Sequence, residues 1–327
     1  MRISTALRLA LFGCAAMIST AAISATENPK YSSLYVFGDS LVDAGNIKLV
    51  TGGAVPSDSA GYYQGRFSNG YTYADLLSQQ LYGAPTKASL AGGNNYAFGG
   101  ARVVNHGDTV PDIQLQLGAY AAGHGGVADA NALYVLNFGG NDIFGLLNPA
   151  PGSIGSYTPD DYIAAVVSIY AGQVQALNNM GARNILITGI PNGGIPLAYY
   201  VDALLQTALD GLVLDAGTDL MRYSYLDAFA RTVGDPASMG LPPLDFATTC
   251  QQARASGVVT DCSGYFSFDG THPTAQVHAA IARDIDRQFG ITTSVPEPTT
   301  WAMLIMGFGL VGGAMRRRDG RLALSGS

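Results

Sequence analysis

Three short apolar runs rich in β-branched and aromatic residues stand out along the chain: Leu34 to Phe37, Ala132 to Phe138 and Asn184 to Thr188. Each is followed by glycine and a turn-forming stretch, the signature of a strand that ends abruptly. Between them lie segments with helical spacing of apolar positions: Tyr73 to Tyr82, Asp160 to Asn179 with acidic residues in its first turn, Ala198 to Thr232, and Pro273 to Phe289. Strands separated by helices predict an α/β sheet of mainly parallel strands. In such folds sites form beyond the carboxyl ends of the strands.

Two stretches break the pattern. Lys48 to Tyr73 is rich in glycine, serine and aromatics (Tyr62, Tyr63, Phe67, Tyr71, Tyr73) and reads either as the lining or cover of a pocket or as a surface loop. Ala198 to Thr232 reads as one long helical region packed on the body, with a lid as the other reading. No internal repeat is present.

The chain ends carry patterns of their own. Arg2 and Arg8 precede an apolar stretch, Leu9 to Ile23, with a small-residue exit at Ser24-Ala25, which predicts a secretory signal peptide over 1–25 that takes Cys14 with it. At the far end Val295-Pro296-Glu297-Pro298 leads into the nearly uncharged Thr299 to Met315 and then Arg316-Arg317-Arg318. A helix there reaches about 25 Å at ~1.5 Å per residue, short of a ~30 Å bilayer core but able to span it with snorkelling arginines. The arginines would hold that end in the cytoplasm and leave the body outside the inner membrane. A body of about 270 residues between these segments fits one large domain.

Charge narrows the partners. The 327-residue chain has 17 basic and 24 acidic side chains, a net charge of −7; setting aside residues 1–25 and 296–327 leaves 11 against 22. An acidic body repels phosphate backbones, so no nucleic acid partner is expected. His106, His124 and His278 lie in no metal-ligand spacing, and no phosphate-binding glycine motif occurs, so neither metal nor cofactor is expected. Of three cysteines, Cys250 and Cys262 remain after signal removal. In an exported protein they can pair as a disulfide just upstream of residues 269–272; two buried thiols are the other reading.

Four segments carry chemistry, in this order: Phe37-Gly38-Asp39-Ser40-Leu41; Gly92-Gly93-Asn94-Asn95-Tyr96-Ala97-Phe98-Gly99-Gly100-Ala101; Phe138-Gly139-Gly140-Asn141-Asp142; and Phe268-Asp269-Gly270-Thr271-His272-Pro273. A serine hydroxyl is a weak nucleophile that needs an imidazole to accept its proton and a carboxylate to orient the imidazole. Acyl transfer also needs preorganised N–H donors for the developing oxyanion. Singly, each residue has a plainer reading: Ser40, Asp39 and Asp43 as turn or cap residues, the glycine pairs as turns, Asn141-Asp142 as an Asx turn, His272 as a structural histidine ahead of a helix. The ordered set is what carries weight.

Over residues 33 to 290 the set resembles the GDSL family of esterases and lipases, also called SGNH hydrolases. Ser40-Leu41-Val42-Asp43-Ala44-Gly45-Asn46 is similar to the subset with Asp-x-Gly-Asn after the serine. The resemblance implies a flavodoxin-like three-layer α/β/α sandwich with a mainly parallel sheet over 26–293, Ser40 as nucleophile with Asp269 and His272 completing the triad, and Ser40 N–H, Gly100 N–H and the Asn141 amide as oxyanion donors, with Gly99 the alternative to Gly100. It implies an exported ester hydrolase whose substrates are lipids, small acyl esters or acylated polysaccharides. Transfer to another alcohol, removal of polysaccharide acetyl groups, and a non-catalytic binding protein of the cell surface or matrix are the other readings. Residues 294–318 resemble the PEP-CTERM sorting signal of Gram-negative bacteria, which implies a membrane-embedded sorting peptidase as partner and a periplasmic, surface or secreted location; 319–327 is a short tail.

Overall fold

The computed structural model of the protein describes residues 29–292 apart from 106, 149 and 151. The signal peptide, Cys14, His106, the sorting signal and its apolar helix lie outside the described residues. Within them, no helix is long and apolar enough to cross a membrane.

Four parallel strands, β1 (Leu34–Gly38), β2 (Leu133–Asn137), β3 (Asn184–Ile187) and β4 (Asp219–Arg222), lie in the order β1-β2-β3-β4. Along the free edge of β1 runs Asn94–Phe98, bonded through Val36 N to Asn94 O, Tyr96 N to Val36 O and Phe98 N to Gly38 O. With that segment counted as the second strand, the chain order across the sheet is the flavodoxin-like 2-1-3-4-5.

Successive strand side chains point to opposite faces. Tyr35, Phe37, Tyr134, Leu136, Ile185 and Ile187 face one core, with α3 (Ile113–Gly123), α5 (Pro159–Met180) and α6 (Pro196–Asp210). Leu34, Val36, Leu133, Val135, Leu186 and Met221 face the other, with α2 (Tyr73–Tyr82), α7 (Tyr225–Gly234) and α9 (Ala275–Phe289). Both faces being covered explains why the first three strands read as unbroken apolar runs. Local signals set the helix ends. Thr72 and Asp75 form a capping box on α2. Thr158 caps α5 ahead of Pro159, and Gly181 ends it with φ +113°.

The expectation of one helical region over Ala198 to Thr232 is corrected. The segment contains α6, then a turn through Asp215-Ala216-Gly217, then β4, then α7 capped by Ser224. In β4 Leu220 packs against one core and Met221 lies in the other, while Asp219 at the strand's start remains exposed. The helix foreseen from Pro273 starts two residues later, at Ala275, with Thr274 as its N-cap residue.

Candidate active site

β1 delivers Ser40. The strand ends at Gly38, where a Cβ would lie 2.5 Å from Val42 Cγ2 and 2.7 Å from Asn137 O, so only glycine allows the chain to turn there against β2. Gln116 on α3 clamps this peptide from both sides, accepting from Gly38 N (2.9 Å) and donating to Gly38 O (2.8 Å). Asp39, buried, receives Leu41 N (2.9 Å) and Asn137 Nδ2 (3.2 Å) on one oxygen, while its carbonyl accepts from Val42 and Asp43. Burial pushes its carboxyl up to about 7, against the Leu41 N–H and the nearby His272.

The loop between β4's layer and α9 delivers the other two groups. His272 Nε2 is 2.7 Å from Ser40 Oγ, and His272 Nδ1 is 2.7 Å from Asp269 Oδ2. Asp269 Oδ1 accepts from Thr271 N (2.9 Å) and His272 N (2.8 Å). Burial raises the Asp269 carboxyl, but the bond to His272, the imidazole's charge and these two N–H groups outweigh it and hold it at about 2. Two residues 232 positions apart in sequence therefore meet across the carboxyl ends of the strands. Cys250 and Cys262, immediately upstream, are joined by a disulfide with Cα atoms 5.3 Å apart.

The glycine and asparagine blocks fall on the opposite side of Ser40. Gly99 gives its N–H to Asp43 Oδ2 (3.0 Å), whereas Gly100, at φ +89° and lining the cavity beside Ser40, has an N–H with no acceptor among the described residues. The Ser40 N–H is likewise unclaimed there. Asn141 stands in the first turn of α4 (Gly140–Leu147), and one of its two amide hydrogens goes to Ala101 O (2.9 Å), leaving the second for the cavity. Ser40, Gly100, Asn141 and His272 all line one cavity of about 600 Å³, with Asp269 behind the imidazole. The rest of its wall is largely apolar: Leu41, Phe144, Ile195, Phe229, Phe266 and Val277.

Two further sets of residues hold the site together through partners distant in the chain. Asp43 receives four N–H groups, from Gly45 and Asn46 on one oxygen and Ile47 and Gly99 on the other. Asn46 donates to Asn95 O (2.8 Å) and Ala97 O (2.9 Å). Together they lock the serine turn to the glycine block. The second set is in the insertion. Phe67 lines the cavity with its ring 5.3 Å from that of His272, and Tyr62 reaches Asp269. This loop is anchored by a buried ion pair between Arg66 and Asp75 (2.9 Å), by Ser68 Oγ to Pro273 O (2.8 Å), and by Ala275 N to Asn69 Oδ1 (2.9 Å). The part from Tyr62 to Asn69 is a site wall, whereas most of 49–60 is exposed as a surface loop is.

A three-layer α/β protein of flavodoxin-like strand order thus holds a serine, an imidazole and a carboxylate in hydrogen-bonded series, with unclaimed N–H donors beside the serine. The chain belongs to the GDSL-like lipase/acylhydrolase family, whose profile matches residues 34–285, and a PEP-CTERM protein-sorting motif matches residues 294–318. It is 36% identical over 175 residues to a Photorhabdus luminescens protein named Lipase 1, over 53% of this chain and 24% of that one. It is 30% identical over 227 residues to a GDSL esterase/lipase of Arabidopsis thaliana, over 58% and 62% of the two chains. The chain thus spans less than two thirds of either relative. Among solved structures, an acetylxylan esterase from Geobacillus stearothermophilus aligns over 81% of this chain and 96% of its own, at 14% identity and a TM-score of 0.45.

Proposed function

We propose that the protein is an exported carboxylic ester hydrolase that works through an acyl-enzyme on Ser40. The observation that carries this is the unbroken series Ser40 Oγ–His272 Nε2 and His272 Nδ1–Asp269 Oδ2, 2.7 Å at each step. With Nδ1–H donated to a carboxylate held ionised, Nε2 is free to accept the Ser40 proton as Oγ attacks the ester carbonyl. The resulting imidazolium is stabilised by Asp269 and returns the proton to the leaving alcohol. Ser40 N–H, Gly100 N–H and Asn141 Nδ2–H stabilise the tetrahedral oxyanion. Water, deprotonated by the same imidazole, then attacks the acyl carbonyl, and Ser40 Oγ leaves with the proton. The apolar wall suits an acyl chain. The sorting motif supports export by a Gram-negative cell and recognition by a sorting peptidase.

The test is hydrolysis of p-nitrophenyl esters from acetate to palmitate by the purified protein beside Ser40→Ala. Activity abolished by the substitution is expected, with butyrate or longer preferred to acetate. Activity confined to acetate would move the reading to an O-acetyl esterase. Equal hydrolysis by both proteins would refute Ser40 as the nucleophile, and no hydrolysis of any ester by the parent would leave acetylated polysaccharide as the substrate to test next and a binding protein after that.

A further inference from the structure

We propose that Tyr62 is a positioning residue for the Asp269–His272 pair, an inference that rests on the triad reading above. Its hydroxyl donates to Asp269 Oδ2 at 2.7 Å, the same oxygen that meets His272 Nδ1 at 2.7 Å. The other carboxylate oxygen is taken by backbone N–H groups of Asp269's own loop. Tyr62 is thus the sole donor to this carboxylate from elsewhere in the chain among the described residues, 207 positions away. It lies outside any strand or helix, two residues after the short 3-10 turn Asp58–Ala60, so the placement needs a cause.

That cause is a small satellite core. Cys250, Cys262 and Phe268 are buried together, and Tyr62 and Tyr265 pack against them. The Tyr62 ring meets Phe268 edge-on at 5.1 Å and Phe67 at 6.1 Å. Just before it, Gln251 Nε2 on α8 (Cys250–Ala255) donates to Ala60 O (2.9 Å). Gly61 has φ +88°, and a Cβ there would lie 3.2 Å from Arg254 Nη1. The disulfide-bearing segment therefore fixes Asp269, through its neighbour Phe268, and Tyr62 as one unit. The hydroxyl is held protonated by burial and by the carboxylate it faces, so it remains a donor across the working pH range.

Two consequences follow chemically. A donor on Oδ2 fixes the carboxylate rotamer that orients the imidazole. It also draws off part of the negative charge with which Asp269 stabilises the imidazolium. The other titratable groups around the pair are Asp39 at the end of β1, His278 on α9, Arg254 on α8 and Tyr265 in the satellite core. None of them hydrogen-bonds to Asp269 among the described residues.

Tyr62→Phe keeps the ring and its packing and removes only the donor. Two readouts test it on the intact protein. The first is the pH profile of kcat/KM for p-nitrophenyl butyrate: a fall of roughly three- to tenfold on the plateau, and an acid-limb midpoint raised by roughly 0.3 to 1 pH unit, are expected from the loss of a hydrogen bond to a charged group. The second needs no turnover: the imidazole nitrogen NMR titration of His272, assigned against His272→Gln, is expected to move up by the same amount. An unchanged or lowered His272 midpoint overturns the proposal whatever happens to the rate. Absence of Ser40-dependent hydrolysis in the parent protein would instead overturn the esterase reading, and the NMR titration would still decide for or against Tyr62.

Discussion

Substituting Gly99 by alanine tests whether the aromatic wall holds the imidazole in place. Gly99 keeps its N–H on Asp43, and its φ lies outside the left-handed region, so the backbone accepts a side chain there. The obstacle is space: a Cβ would stand 2.5 Å from Phe67 Cε2 and Cζ and 3.4 Å from Ile47 Cγ1. Ordinary carbon contacts are about 3.5–4.0 Å, so the Phe67 ring must retreat by about 1 Å. That ring neighbours His272 at 5.3 Å, tilted 37°, and Tyr62 at 6.1 Å. Overpacking of this kind costs about 1–3 kcal/mol of stability, and a 1 Å misplacement of a reacting group costs up to about 100-fold in rate. Gly99→Ala is therefore expected to lower kcat/KM for p-nitrophenyl butyrate roughly 10- to 100-fold, with denaturant unfolding showing the smaller loss in stability. In a Phe67→Leu background, which vacates the space, Gly99→Ala should cost less than it does in the parent. A folded Gly99→Ala protein within twofold of the parent would refute the argument that Phe67 braces His272.

Other substitutions separate the remaining parts. Asn141→Ala removes one oxyanion donor and should lower kcat by about 100- to 1,000-fold with KM nearly unchanged; a rise in KM alone would assign Asn141 to ground-state binding. Replacing Cys250 and Cys262 by serine opens a bridge of sequence separation 12 and should cost on the order of 2–4 kcal/mol, read as a lower urea midpoint, and the parent treated with reductant should match it. For Asp39 the sign runs against the usual acid: its folded carboxyl keeps a proton up to about 7 while the unfolded one releases it near ~4, so stability falls as pH rises through that window. Asp39→Asn should remove about 4 kcal/mol of that fall, seen by comparing urea unfolding at pH 4 and pH 8; an unchanged slope would count against a protonated Asp39. Asp269, held at about 2, acts oppositely: its contribution is present above ~4 and lost as pH drops toward 2.

Much of this site was legible because its chemistry sits in short contiguous blocks. Gly38 to Ser40, Gly100, Asn141, and Asp269 to His272 each fall where a strand end or a loop exposes them, and the apolar runs of β1, β2 and β3 are the kind both-face burial demands. What escaped reading was sparse or misleading in period. Ile113, Leu115 and Leu117 alternate with Gln114 and Gln116 as a strand would, yet the buried set of α3 is Ile113, Gln116, Leu117 and Tyr120, a helical face that includes the glutamine clamping Gly38. β4 has only four residues, Asp219-Leu220-Met221-Arg222, too few to show a period inside an apolar segment, although Asp215-Ala216-Gly217 marked the break. Asp43 reads as a turn residue and is one, but the turn it holds includes Gly99 from 56 positions away.

The residues hardest to read are therefore those whose partners are distant, and they share a physical task. Ser40 stands on a turn clamped by Gln116 and Asp43, Gly100 follows a glycine tied to the same Asp43, and Asp269 is braced by Tyr62 and a disulfide-bearing core. Each of these groups is carried by a loop or turn, and each is fixed by a polar tie to a segment distant in the chain. Loops alone would leave tolerances too wide for hydrogen bonds of 2.7 Å in series, since each link must hold its geometry while the next one forms. The tie that a sequence motif advertises, Asp-x-Gly-Asn after the serine, braces the nucleophile side; the tie that no motif advertises, Tyr62 to Asp269, braces the acid side. An acid-side defect should accordingly appear in the basicity of His272, and a nucleophile-side defect in kcat at unchanged pH profile.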